Sequence, residues 1–332
     1  MCTAISFCGE HHFFGRTLDF ELSYGEQPII IPRRFPFLFT SGYRNENHYA
    51  MVGMGKLAEG YPLYFDATNE KGLSMAGLLF AGNAMYSPAK NGFMNVASFE
   101  LIPWVLSQCA SVTEARLLLG KLCITNVAFS ASLPPSPLHW IIADEKRCVV
   151  LEAVKEGVQL YENPVGVLTN NPPLPYHLLH LTEFMQLSDK PPQNNLCGDT
   201  PLYPYSRGMG AVGLPGDFSS SSRFVRAAFV KGHISKAATR QEEIMQLFHI
   251  LKSVEIPCGC VTLENDEHTK TIYTSCCDTQ RGVYYYTTYF DSTIYAVNMH
   301  AEDLTSDKAV WYPLSVKPRF CSAKAAAEGD AL

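Results

Sequence analysis

The chain has 332 residues, of which 47% are hydrophobic and 17% charged, and a formal net charge of −6. Such a chain can bury a sizeable core and is too apolar for a disordered or solvating protein. Its acidic balance, without any long Lys/Arg run, argues against a nucleic-acid partner.

In chain order, alternation and turn residues predict strands over Thr3–Cys8, Phe13–Phe20, Tyr49–Gly53 and Leu73–Leu79, with turns at 9–10, 44–47 and 70–72. Helices are expected over Ser98–Cys109 and from Ser111 to Leu119, the second opening on Ser111-Val112-Thr113-Glu114. A proline loop at 134–137 leads into strands over Leu138–Ala143, Cys148–Val154 and Gly157–Tyr161. Leu174–Gln186 reads as helical, and 189–217 as a long loop rich in Pro, Gly and Asn. Loops of that length usually carry function or an oligomer contact. Four serines, Ser219–Ser222, precede a helix over Arg223–Val230, and another spans Arg240–Val254. Strands over Thr269–Cys276, Gly282–Tyr289 and Thr293–Asn298 close the chain. No repeat or linker divides it, so one domain over 2–320 with a polar tail at 321–332 is expected. Strands, then helices, then strands again predict an α+β fold with antiparallel sheets covered by helices.

No run of about 18 apolar residues exists to span a membrane. The N-terminus lacks the basic and apolar regions of a signal peptide, so a cytoplasmic location is expected. The eleven cysteines are odd in number and irregularly spaced, which does not suit a disulfide framework; most are expected to be reduced and buried. Cys258, Cys260, Cys276 and Cys277 are the one conceivable zinc set. C-x-C is tighter than the usual knuckle and adjacent strand residues point apart, so no metal and no cofactor are expected.

Cys2 is the most informative residue. Removal of Met1 leaves one residue with a thiol and a free α-amine, a nucleophile and a base together. An N-terminal nucleophile can be activated by its own amine. The stretch that follows reads as a buried strand, and the next strand carries Arg16 and Asp19. Asp19 can accept from the α-amine, and Arg16 can favour the thiolate. Without Cys2 the two would read as a surface ion pair. Asn170 ends an apolar strand where an amide donor can meet an oxyanion, although Asn before a proline is also an ordinary turn residue. Arg223 sits at a helix start, where a cation opposes the helix dipole, and this points to another use.

The motifs Met1-Cys2-Thr3-Ala4, Phe14-Gly15-Arg16-Thr17-Leu18-Asp19, Asn69-Glu70-Lys71-Gly72-Leu73, Gly166-Val167-Leu168-Thr169-Asn170, Gly213-Leu214-Pro215-Gly216-Asp217-Phe218 and Ser222-Arg223-Phe224 stand in order along the chain. In these blocks, from Met1 to about Met299, the sequence resembles the choloylglycine hydrolase family of bile salt hydrolases and penicillin V acylases. The resemblance implies a four-layer αββα sandwich of the N-terminal-nucleophile hydrolases. It implies catalytic roles for Cys2, Arg16, Asp19, Asn170 and Arg223, and an oxyanion-binding backbone N–H at Leu79. Bile salt hydrolases carry asparagine at that last position and penicillin V acylases commonly tyrosine, so the Leu79 side chain bears on specificity. The implied substrate is a conjugated bile acid and the implied assembly a homotetramer. A steroid needs an apolar pocket, for which Leu18, Phe20, Phe65, Leu79, Phe129 and Leu133 are the candidate walls. The runner-up is a penicillin V acylase or another N-acyl amidase, such as an N-acyl-homoserine lactone acylase. A binding protein that has lost turnover is disfavoured by the five intact polar positions. A Cys–His protease would need His139, which beside Trp140 reads as a core histidine.

Overall fold

The computed structural model describes residues 1–315, 317–320 and 322. The expected tail at 321–332 therefore lies outside the described residues, apart from Ser322. From the N-terminus come β1 (Cys2–Cys8), β2 (His12–Phe20), β3 (Gln27–Ile31), the short β4 (Phe37–Leu38) and β5 (Arg44–Asn45), then β6 (Met51–Ala58), β7 (Tyr61–Asn69), β8 (Ser74–Leu79) and β9 (Met94–Ala97). Helices α1 (Leu101–Leu106) and α2 (Val112–Leu119) lead to β10 (Leu122–Thr125), β11 (Leu138–Ala143), β12 (Cys148–Val154), β13 (Gly157–Glu162) and β14 (Val167–Leu168). Helices α3 (Leu174–His180), α4 (Ser220–His233) and α5 (Arg240–Lys252) follow, then β15 (Lys270–Asp278), β16 (Val283–Thr288), β17 (Tyr295–Asn298) and β18 (Val310–Trp311).

The first sheet has six strands in the order β14-β1-β2-β15-β16-β17 and the second eight in the order β13-β12-β11-β8-β7-β6-β3-β18. Neighbouring strands in both are antiparallel. Helices α4 and α5 cover the first sheet and α1 lies on the second, which gives the four-layer αββα order. Period-two alternation sorts the second sheet between two cores. Ile30, Val52, Leu78, Ile141 and Val150 join the core shared with the first sheet. Their neighbours Ile29, Ile31, Met51, Trp140, Ile142, Val149 and Leu151 pack beneath α1 and α2. A strand covered on both faces needs an unbroken apolar run, and Ile29-Ile30-Ile31 is one, fully buried.

Caps explain where the helices start. The hydroxyls of Ser111, Ser219 and Thr239 accept from the N–H groups of Glu114, Ser222 and Glu242. Helix α4 thus opens at Ser220, ahead of the expected Arg223, and places Arg223 inside its first turn. The helix expected over Ser98–Cys109 is a 3-10 turn, Ser98–Glu100, followed by α1, which stops at Leu106. The turn expected at 44–47 contributes a two-residue strand, β5. The sequence reading did not list β3 or β7. In β7, Pro62 and Asp66 disguise a central strand: Pro62 lies by the hairpin tip opposite Leu57, and Asp66 finds buried partners.

Candidate active site

Strand β1 pairs with β2 so that Cys2 lies opposite Leu18 and Thr3 opposite Thr17. Cross-strand partners share a face, so Cys2, Leu18 and Arg16 look toward the second sheet, while Thr3, Thr17 and Asp19 look toward α4. Arg16 and Asp19, three residues apart, therefore approach Cys2 from opposite sides of the strand pair. Arg16 is fully buried. Its Nη2 donates to Cys2 Sγ at 2.8 Å, and its Nη1 to the carbonyls of Phe65 (2.9 Å) and Gly77 (2.8 Å). Burial opposes the guanidinium charge, but Cys2, Tyr273, Asp66 and Tyr284 outweigh it and hold Arg16 above the ordinary arginine range.

That wedge has a consequence for the second sheet. Pairing of β7 with β8 ends at Asp66–Ala76. Beyond it, the Arg16 guanidinium sits between the carbonyls of Phe65 and Gly77, where strand-to-strand bonds would otherwise run. Leu79 is paired with Leu138, and the neighbouring Phe80 N–H bonds the Pro137 carbonyl at 2.8 Å. Leu79 is then the non-hydrogen-bonded member of the ladder, and its own N–H and C=O face the gap on the β7 side.

Asn170, just past β14, closes the site. Its Oδ1 accepts from Cys2 N–H at 2.9 Å and from Arg223 Nη2 at 2.6 Å, and its Nδ2 donates to the Leu79 carbonyl at 2.7 Å. The residue expected as an oxyanion donor is thus also the acceptor for the Cys2 nitrogen, with one Nδ2 hydrogen left toward the gap. Its backbone is held by Ser220 Oγ on the N–H and by His177 on the carbonyl. Arg223 Nη1 donates to the Cys2 carbonyl (2.5 Å) and Thr3 Oγ1 (2.7 Å), and stands 3.9 Å from Asp19 Oδ2. Burial lowers the Arg223 pKa, with Asp19 and Cys2 acting against it.

Asp19 is held from the side of Thr17 and Thr271. Its carboxylate accepts from Thr17 Oγ1 (3.1 Å) and Thr271 Oγ1 (2.7 Å), while the terminal amine, here that of Met1, bonds the Asp19 carbonyl. With Met1 in place the α-amine lies one residue upstream of Cys2; the pairing expected of the Asp19 carboxylate is with the Cys2 amine, which is freed only by removal of Met1.

Cys2 opens onto a cavity of about 420 Å³ lined by Leu18, Phe20, Phe65, Leu79, Phe129 and Leu133, together with Tyr24, Lys56, Phe99 and the 134–137 proline loop. Tyr24 stacks on Phe20 with centroids 4.9 Å apart and tilts against Phe65 at 5.6 Å. Phe129 meets Phe99 edge-on at 5.2 Å. Composition and spacing did not single out Tyr24 or Lys56. They also missed Asp66, which accepts from Tyr273 (2.7 Å) and Tyr284 (2.8 Å) behind Arg16. Burial raises the Asp66 pKa, partly offset by Arg16 and the two tyrosines. Asp66 lies in a strand that was not recognised, and no short-range signal marks it.

His139 stacks on Phe80 at 4.2 Å and bonds Glu152 and the Thr169 carbonyl, so its ring is occupied within the core. Cys258 and Cys260 are exposed whereas Cys276 and Cys277 are buried in β15, so the four do not assemble. No group of three or more potential metal ligands occurs among the described residues.

A thiol at the start of a sheet strand, in a four-layer αββα sandwich, with two buried arginines and an amide around it, defines an N-terminal-nucleophile hydrolase. A family model for linear amide C–N hydrolases of the choloylglycine hydrolase family matches residues 2–312, and the chain belongs to that family. It is 46% identical over 320 residues to a bile salt hydrolase/transferase of Lactiplantibacillus plantarum, covering 96% of this chain and 99% of that one. A bile salt hydrolase/transferase of Clostridium perfringens is 34% identical, with 94% and 96% covered. A mutant of the conjugated bile acid hydrolase of Clostridium perfringens superposes with a TM-score of 0.91 at 32% identity, over 98% of this chain and 100% of that one. A penicillin V acylase of Agrobacterium tumefaciens shares the fold with a TM-score of 0.75 at 21% identity, with 95% and 92% covered.

Proposed function

We propose that this chain hydrolyses the amide bond of glycine- or taurine-conjugated bile acids with Cys2 as the N-terminal nucleophile. The observation that carries this reading is the position of Cys2 Sγ, bonded to Arg16 and at the foot of an apolar cavity large enough for a small hydrophobic body. Once Met1 is removed, the Cys2 amine takes the thiol proton and the thiolate attacks the amide carbon, with Arg16 as counter-charge. The tetrahedral oxyanion then meets the Leu79 N–H and the remaining Nδ2 hydrogen of Asn170. The amine passes its proton to the leaving nitrogen, so glycine or taurine departs and a thioester remains. Water attacks that thioester by the same route and restores the free thiol. Arg223 and Asp19 hold the Cys2–Asn170 geometry from the helix side. Similarity to proteins named bile salt hydrolase supports the steroid-conjugate reading over a penicillin V one. Parallel assays of glycocholate, taurocholate and penicillin V with purified protein test the reading, and a clear preference for penicillin V overturns it.

Two further parts belong to the same reading. The loop 189–217 exposes Leu196, Tyr203 and Tyr205, each more than four-fifths accessible, and Leu196 and Tyr203 line a cavity of about 480 Å³. Such a face suits the homotetramer that the family resemblance implies. Light scattering that gives a single-chain mass at micromolar concentration overturns it. The ten cysteines among the described residues are all free thiols, which suits a reducing, cytoplasmic location.

A further inference from the structure

The catalytic cavity carries one positive charge that the mechanism does not use. Among the described residues, Lys56 and Arg16 are the only basic side chains in its lining, and no carboxylate lines it. The Arg16 guanidinium is consumed by Cys2 Sγ and three carbonyls. Lys56 has no ion pair or side-chain hydrogen bond among the described residues. It lies on β6 opposite Leu63 of β7, and the two cross-strand partners line the same cavity. Glu26, one residue beyond the Gln27–Gly55 pair, is engaged by Ser23 Oγ and the Tyr24 N–H.

A lysine in a cavity wall that also holds Leu63, Phe65, Tyr24 and Phe99 can keep its stem on apolar surface and offer its ammonium to whatever fills the space. In a partly desolvated cavity an unpartnered ammonium favours an anion over a neutral group of equal shape. We propose that Lys56 is the substrate-selecting residue of this cavity. It recognises a fixed negative charge on the substrate, so that the enzyme takes anionic amphiphiles and discriminates against uncharged acyl amides of the same apolar body. This rests on the bile-acid reading above. The charge can come from the carboxylate or sulfonate of the amino-acid part, or from a sulfate ester at the far end of the ring system. Lys56 does not touch the reacting atoms, so its effect belongs in KM rather than kcat.

Lys56→Met keeps the stem and removes the charge, and Lys56→Arg restores a charge. Each is assayed on three substrates: glycocholate, its neutral glycinamide counterpart, and the glycinamide carrying a 3-sulfate. Lys56→Met is expected to raise KM about tenfold for at least one charged substrate, with kcat within about twofold and the neutral glycinamide unchanged. Lys56→Arg is expected to recover most of that loss. A loss on glycocholate assigns the amino-acid anion, and a loss on the sulfated glycinamide assigns the far end. Unchanged KM for both charged substrates overturns the proposal. So does an equal loss on the neutral one, since lost packing would then explain the effect. A wild-type protein that cleaves none of the three overturns the bile-acid reading and this one with it.

Discussion

Asn170 meets Cys2, Arg223 and Leu79 with one side chain, so its loss acts on chemistry and on packing at once. Asn170→Ala removes the proposed oxyanion donor, a loss that typically costs ~10²–10³ in turnover. It also strands Arg223 Nη2 in the interior, for a further ~1–3 kcal/mol of stability. The expected result is a uniform fall in kcat for every substrate together with a lower urea midpoint. An enzyme that loses one substrate and keeps another would show that Asn170 acts in recognition. Leu79 makes the contrasting case, because its proposed part in the chemistry is a backbone N–H while the residue lines the cavity. Leu79→Asn or Leu79→Tyr is expected to shift the ratio of bile salt to penicillin V hydrolysis and leave the better rate within about tenfold. Equal loss on all substrates would mean that the N–H itself has moved. Cys2→Ser is expected to fold and to lose nearly all activity, as an alcohol ionises far less readily than a thiol. Intact mass of the active protein should show Cys2 as the first residue.

Among the elements, the arrangement of β7, β8 and β2 matters most, because the Arg16 side chain keeps two strands of the opposite sheet apart. Asp66 stands behind it on β7, its carboxylate accepting from Tyr273 and Tyr284. Asp66→Asn removes the buried negative charge that helps to hold the Arg16 guanidinium ionised. A loss of ~1–3 kcal/mol in stability is expected, with kcat falling more than KM rises. Unaltered kcat in a folded Asp66→Asn protein would confine Asp66 to the core. This element was not legible in the sequence, and the reason is physical. A proline and an aspartate broke the alternation that marks a strand, and their compensations, a hairpin-tip position and two tyrosines from β15 and β16, come from far along the chain. The strands over Thr3–Cys8, Phe13–Phe20 and Leu138–Ala143 were legible because their period and composition agree. The opposite facing of Arg16 and Asp19 is a consequence of strand period that the sequence reading did not draw. That Asn170 accepts from Cys2 N–H did not follow, since only the pairing of β14 with β1 brings the two together.

Across the whole molecule, two buried histidines make stability depend on pH. His12, between Ser6 Oγ and Thr279 Oγ1, and His177, stacked on Phe224, are each pushed down to about 4 from the ordinary 6.5, mainly by burial. Above pH 6.5 both are neutral in the folded and the unfolded chain, and the full stability is present. As pH falls from 6.5 toward 4 the unfolded chain binds protons that the folded chain refuses. Each histidine then removes about 1.4 kcal/mol per pH unit. Below about 4 the folded rings titrate too and the loss levels off. Asp66, Glu100 and Glu255, held above the usual carboxylate range by burial, work in the opposite sense at the acid end. The histidine share is therefore isolated by difference. His177→Gln keeps a donor for the Asn170 carbonyl and cannot gain a proton. Urea midpoints measured from pH 7 to pH 4 should fall less steeply in that variant than in wild type, by about 1.4 kcal/mol per pH unit below 6.5. Parallel curves for the two proteins would show that His177 is protonated in the folded state. The stack on Phe224 and the bond to Asn170 would then have to be held by an imidazolium, and the buried wall behind Asn170 would carry a charge.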